Sequence, residues 1–168
     1  MFLVALSLPA AADETVAEYQ LKAAFLYNFA KFVEWPAAAF DDSTSPFSLC
    51  ILGTEPYLAA KEILSGKSVR GRAIEVRHIE TLKKADNCHM LFVASADQGT
   101  GPHAFALANS KTLTVGEEGD FIVRGGIINL KRVDDKLRFE IARLVGQRLG
   151  FRFSAQLLKL ATVVDSVK

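Results

Sequence analysis

Cysteine is scarce in this sequence: Cys50 and Cys88 are the only two among 168 residues. Two thiols exclude a disulfide-dense miniature scaffold and a zinc site built on four cysteines. A surplus of charge is also missing, because 20 lysines and arginines stand against 19 acids for a formal net charge of +1. With no block of five like charges, nothing in that balance draws the chain to nucleic acid or to an anionic membrane surface. No apolar run approaches the roughly 20 residues of a membrane-spanning helix. Internal repeats and low-complexity linkers are absent. So are a G-x-S-x-G elbow, a P-loop, a G-x-G-x-x-G after a strand and an H-E-x-x-H helix. Catalysis by those devices is excluded and no cofactor is implied. The three histidines, His78, His89 and His103, lack the spacing that chelates a metal.

What is present suits one globular domain. Half of the residues are hydrophobic and 23% are charged, enough at this length to close a substantial core. The front of the chain, MFLVALSLPAAADE, has an apolar run from Phe2 to Leu8, then Pro9, three alanines and the acids Asp13 and Glu14. An apolar core followed by small residues is how a secretory signal ends. We therefore read residues 1–12 as the remnant of an export signal and residues 13–168 as one exported domain.

Periodicity supplies the elements. From Glu14 to Trp35, Leu21, Phe25, Phe29 and Phe32 recur at helical spacing, with Glu18 and Lys22 as an i,i+4 pair on the wet side and Pro36 as the stop. Asn28 interrupts the apolar side and is read as a solvated residue at the helix edge. PFSLCILG (46–53) reads as a buried strand ending in glycine. Residues 56–65 form a short helix with Pro56 at its first position and Gly66 at its end. Residues 73–79 alternate as a half-buried strand, 89–94 are a continuous apolar strand, 103–109 a brief helix and 112–115 another strand. Two antiparallel strands, 127–131 and 136–141, are joined at Val133-Asp134-Asp135. A helix through 145–149, the short FRF segment and a closing helix over 155–164 complete the chain. Strands alternating with helices before a hairpin predict an α/β fold. It is a single three-layer domain with a mostly parallel central sheet, an antiparallel C-terminal hairpin at one edge and flanking helices.

The segment NCHMLFVAS (87–95) sets Cys88 beside His89. Neighbouring side chains of a strand point to opposite faces, so the two make a poor thiolate–imidazole couple. Cys50 and Cys88 remain as either two inert buried thiols or a bridge between adjacent parallel strands entered from the same end. Export into an oxidising compartment favours the bridge. An exposed bond would in addition sense redox state.

The quoted segments together resemble the YfiR family of bacterial periplasmic proteins, over essentially the whole exported chain. The likeness rests on YQLKAAFLYNFAKFVEWP, SLCILG, GRAIEVR, CHMLFVA, LTVGE, GGIINL, RFEIA and FRFSAQLLKLA. The resemblance implies a compact, non-catalytic α/β domain in the periplasm. Its best-understood members bind the periplasmic domain of an inner-membrane diguanylate cyclase and hold it inactive, and an outer-membrane lipoprotein draws the repressor away. It also implies a homodimer and a disulfide between Cys50 and Cys88. Two departures stand out: the second cysteine pair that some members carry near GGIINL is absent, and Ala142 stands where the family usually has asparagine.

Five residues are candidates for contact with a partner or ligand. On a strand, Arg138 and Glu140 share one face while Phe139 and Ile141 share the other, and the two charges can pair with Arg152. That group is either a solvated surface ion pair of little worth or a polar patch rimming a groove. Tyr27 and Trp35 are aromatic anchors for an interface or, on the plainer reading, part of the core. Gly116, Gly119, Gly125 and Gly126 are read as serving tight backbone geometry, not a phosphate. Two functions follow: a periplasmic regulator that binds a membrane signalling protein, and a periplasmic small-ligand-binding module.

Overall fold

The computed structural model of the chain describes residues 11–94, 105 and 111–165, with side chains from residue 15 onward. Its centre is an eight-stranded sheet of order β10-β8-β7-β6-β5-β2-β4-β3. The strands are β2 (Phe47–Leu52), β3 (Ser68–Val69), β4 (Arg72–Ile79), β5 (Met90–Val93), β6 (Leu113–Gly116), β7 (Ile128–Val133), β8 (Lys136–Ile141) and β10 (Thr162–Val163). The run from β4 through β2, β5 and β6 to β7 is parallel, and β7–β8 is the antiparallel hairpin. The hairpin turns at Asp134 and Asp135, both at positive φ (50° and 60°), the backbone of a two-residue connection that matches strand twist. This is the α/β domain that the pattern predicts.

Four α-helices are formed among the described residues: α1 (Ala11–Phe32), α2 (Thr54–Leu64), α3 (Arg143–Arg148) and α4 (Ala155–Leu160). One face of the sheet, with Leu49, Ile51, Met90, Phe92, Leu113, Val115, Leu130 and Phe139, packs under α1, α2 and α4 as the main core. The other face carries a second core of Cys50, Leu52, Leu91 and Val93 covered by Phe105, Phe121, Ala85 and Cys88. Successive residues of β2 and β5 divide between these cores, as a strand buried on both faces must.

Several boundaries differ from expectation for physical reasons. Helix α1 ends at Phe32 and not at Trp35, because Val33 and Glu34 form a short strand, β1, paired antiparallel with β9 (Arg152–Phe153). Arg70 donates to the carbonyls of Lys31 and Val33 at that end, satisfying groups the helix leaves open. The buried stripe of α1 is Lys22, Ala23, Leu26, Phe29 and Ala30, continued by Val33 of β1, and Leu21 is 47% exposed. The helix is rotated by about one position from the aromatic stripe because it also buries the Lys22 ammonium among acids. Asn28 is exposed, as expected of a solvated edge residue. Thr54, not Pro56, opens α2, and α3 begins two residues earlier than its expected start at Val145. The closing helix stops at Leu160, and Thr162–Val163 instead join β8 in parallel as β10. The expected helix over 103–109 falls outside the described residues except for Phe105, and residues 1–10 of the export segment fall outside them entirely.

Candidate partner-binding surface

Parallel pairing sets Leu49 opposite Met90, which brings Cys88, just ahead of β5, back toward Cys50. The two are joined in a disulfide with Cα atoms 5.8 Å apart, and they are 0% and 1% exposed. His89 turns to the other side of the chain. Its Nδ1 accepts from the Ser48 amide at 2.9 Å and its Nε2 donates to the Ala39 carbonyl at 2.9 Å. The ring stacks on Phe40 with centroids 4.3 Å apart. Burial, reinforced by the Arg72 charge, holds the imidazole pKa below its ordinary value, against the Ala39 hydrogen bond. Both nitrogens are occupied by backbone, so the residue braces the entry to β2 and β5 in its neutral form.

Trp35 is placed by the same junction. Its Nε1 donates to the His89 carbonyl at 2.7 Å, and its ring meets the edges of Phe47 and Phe151 at 5.0 and 5.8 Å. The remaining face lines a cleft of about 180 Å³ with Glu34, Phe40, Phe47, Val69, Arg70 and Arg72. Arg72 lies 3.9 Å from the Phe40 ring centre and donates to the Ser45 carbonyl at 2.7 Å. Tyr27 is half-buried on α1. Its hydroxyl donates to the Ser68 carbonyl at 3.1 Å, and the ammoniums of Lys31 and Lys67 lie 4.9 and 5.6 Å from its ring.

The expected grouping of Arg138 and Glu140 with Arg152 does not form. Arg152 lies on β9, where the β1–β9 register sets it beside Glu34 at 3.8 Å, both well exposed. Glu140 instead pairs with Lys131 across the hairpin at 2.9 Å and accepts from the Asn129 amide at 3.4 Å. Arg138 and Glu140 do share a face, as strand alternation requires, and Arg138 is exposed directly opposite Lys131. Asn129 is 1% exposed and its Oδ1 has no hydrogen-bond partner among the described residues. The sequence reading missed Lys131 and Asn129, although their two-residue spacing was a signal that they share the hairpin face.

The expected i,i+4 pair of Glu18 and Lys22 forms, but Lys22 does not lie on the wet side. Lys22 is 7% exposed and holds both Glu18 and Glu117, the residue following β6. The Tyr19 hydroxyl donates to the second Glu117 oxygen at 3.3 Å, and Arg132 reaches Glu18 at 3.5 Å. Burial raises the Glu117 pKa against the opposing pull of Lys22. Burial and the Glu117 charge push the Tyr19 phenol up to about 12. This chain of charges fastens the first half of α1 to the carboxyl end of the sheet. Beneath it, Phe121 packs directly over Gly116 and Gly126, the tight geometry expected of those glycines.

Among the described residues no group of three or more histidine, cysteine or acidic side chains could hold a metal. None of their helices is long and apolar enough to cross a membrane. A family profile described as YfiR/HmsC-like matches residues 19–162, which runs from within α1 to the first residue of β10. No curated protein matches the chain.

Proposed function

Because this chain belongs to the YfiR/HmsC-like family, we infer that it is a periplasmic regulator that acts by binding and not by catalysis. The family match carries the reading, and the geometry is in keeping with it. The two cysteines are bonded to each other, both nitrogens of His89 are engaged by backbone, and Glu117 is held by Lys22 and Tyr19. None of these groups is poised as a nucleophile or base. The target we propose is the periplasmic domain of an inner-membrane diguanylate cyclase, held inactive, with an outer-membrane lipoprotein as the competitor that withdraws the repressor. The chain would act as a homodimer.

The mechanism is a shift of population. A target balanced evenly between two states becomes 99% inactive only if the repressor prefers that state by about a hundredfold, roughly 2.8 kcal/mol. Expression of the chain in a strain carrying the cyclase is expected to lower cyclic-di-GMP, and the cyclase is expected to co-purify with it. An unchanged nucleotide level in a matched strain would sink this reading.

The cleft at Trp35 favours a second one, a periplasmic small-ligand-binding module. Its aromatic walls and two guanidiniums suit a small planar anion. A ligand retained through purification, or a melting shift on metabolite screening that vanishes in Trp35→Ala, would select this reading over the first.

A further inference from the structure

The sheet ends in an incomplete edge. On one side β8 is matched to β7 at all six positions, but on the other β10 meets it only at Glu140 and Ile141. Positions 136–139 have no strand beside them on that side among the described residues. The direction of the free groups follows from two hydrogen bonds. The Ala142 amide donates to the Ile127 carbonyl, toward β7, whereas the Ile141 carbonyl accepts from Val164, toward β10. Backbone groups alternate along a strand, and the parallel pairing of Thr162 with Glu140 sets the Thr162 amide on the Phe139 carbonyl, so the N–H and C=O of Leu137 and the N–H of Phe139 face the open side.

Side chains around this edge are equally distinctive. Lys136 and Arg138 are exposed on one face with Lys131 directly opposite Arg138, a pairing of like charges that weakens a hairpin. The acid of β8 on that face, Glu140, is tied to Lys131. Asp134 and Asp135 lie in the turn, beyond the end of the strand. At the other end, Leu160 and Val163 are 70% and 37% exposed. Cations on an edge strand oppose its pairing with the same edge of a second copy, which would set like charges against each other.

The geometry points to strand addition: an extended segment of the partner protein, alternating acidic and apolar residues, pairs with the open side of β8 at positions 136–139. Its carboxylates meet Lys136 and Arg138, and its apolar residues lie beside Leu137 and Leu160. Main-chain hydrogen bonds supply attachment and the alternating side chains supply selectivity. This deepens the binding role proposed above and rests on it for the identity of the partner.

Three short synthetic peptides test it against the full chain by NMR and fluorescence anisotropy. One alternates glutamate with valine, one replaces each glutamate with lysine, and one keeps the glutamates but is N-methylated at alternate amides. The acidic peptide is expected to bind about tenfold more tightly than either of the others, with shifts centred on residues 136–141. The exposed double variant Lys136→Glu, Arg138→Glu, its folding checked by thermal melt, should reverse the preference toward the lysine peptide. Equal binding of the N-methylated peptide would reduce the edge to a charged surface and overturn strand addition. So would no binding at all, shifts located elsewhere, or self-association of the chain through these same residues. The peptides require no natural partner. Peptide binding with unchanged cyclic-di-GMP therefore removes the cyclase reading alone, and the converse removes strand addition alone.

Discussion

Single side chains decide how firmly the first helix and the strand entries are held. Lys22 sets its ammonium on Glu117, so Lys22→Met strands a largely buried carboxylate and should destabilise the fold by roughly 3 kcal/mol at pH 8. Without the cation, the pKa of Glu117, already raised by burial, rises further. A group whose folded pKa is raised loses stability as pH climbs through that value, so the deficit of the variant should shrink on going from pH 8 to pH 5. Adding Glu117→Gln should recover most of the loss and abolish its pH dependence. Urea melts of the three proteins at both pH values check this, and a pH-independent deficit in Lys22→Met would contradict it. His89 works with the opposite sign. Its folded pKa is depressed, chiefly by burial, so its contribution is complete above the unfolded value near 6.5 and falls away as pH drops through it. Stability should therefore decline between about pH 7 and pH 5, and His89→Phe, which keeps the stack on Phe40, should be less stable at pH 7.5 but flatter in that window. A wild-type imidazole that titrates by NMR at or above 6.5 would refute the assignment.

At the scale of elements, continuous apolar runs and turn chemistry were legible, and solutions that depend on distant partners were not. SLCIL and MLFV read as buried strands from their continuous apolar runs, and the Asp134-Asp135 turn marked the hairpin. The phase of α1 was hidden because a lysine at position 22 reads as surface until Glu117, 95 residues away, is folded beside it. The two-residue strands β1, β9 and β10 carry no periodicity of their own. β10 forms on the open edge of β8, and β1 and β9 form by pairing with each other in a separate two-stranded sheet, both of which are tertiary facts. The candidate residues show the same division. Alternation placed Arg138 and Glu140 correctly on one face, but their supposed partner, Arg152, sits on an element whose position only the β1–β9 pairing determines. The glycine-rich segment was read for its shape and not for phosphate, and Phe121 supplies the reason. Its ring fills the space where a Cβ on Gly116 or Gly126 would stand. Gly116→Ala or Gly126→Ala should therefore cost about 2–3 kcal/mol through overpacking, whereas Gly119→Ala, with open space around its Cα, should cost well under 1 kcal/mol. Denaturation midpoints of the three variants give the order, and equal midpoints would mean that Phe121 does not hold this turn.

For the molecule as a whole, the disulfide and the proposed regulatory role have to be kept apart. Cys50 and Cys88 are 38 residues apart in sequence, so the bond closes a loop that contains α2, β3 and β4. In the chain-entropy model a loop of that size contributes about 4 kcal/mol, mostly by restricting the unfolded chain. That is a large share of the 5–15 kcal/mol typical of a whole domain. Both sulfur-bearing residues are buried, so a reductant reaches the bond only when the second core opens. A folded protein that switches on mild reduction would need an accessible bond. Mild reductant should therefore leave cyclase repression unchanged over minutes, while reduction in urea should lower the unfolding midpoint in step with the lost 4 kcal/mol. The double variant Cys50→Ala, Cys88→Ala should reproduce that loss and, below its lowered melting temperature, still bind its target. Thiol labelling before and after reduction, in native buffer and in urea, provides the control: no label without reductant, and two labels per chain only after reduction under unfolding conditions. Rapid labelling of native protein by mild reductant, with repression lost at unchanged thermal stability, would make the bond a sensor and would move the regulatory surface from the sheet edge to the strand entries around His89.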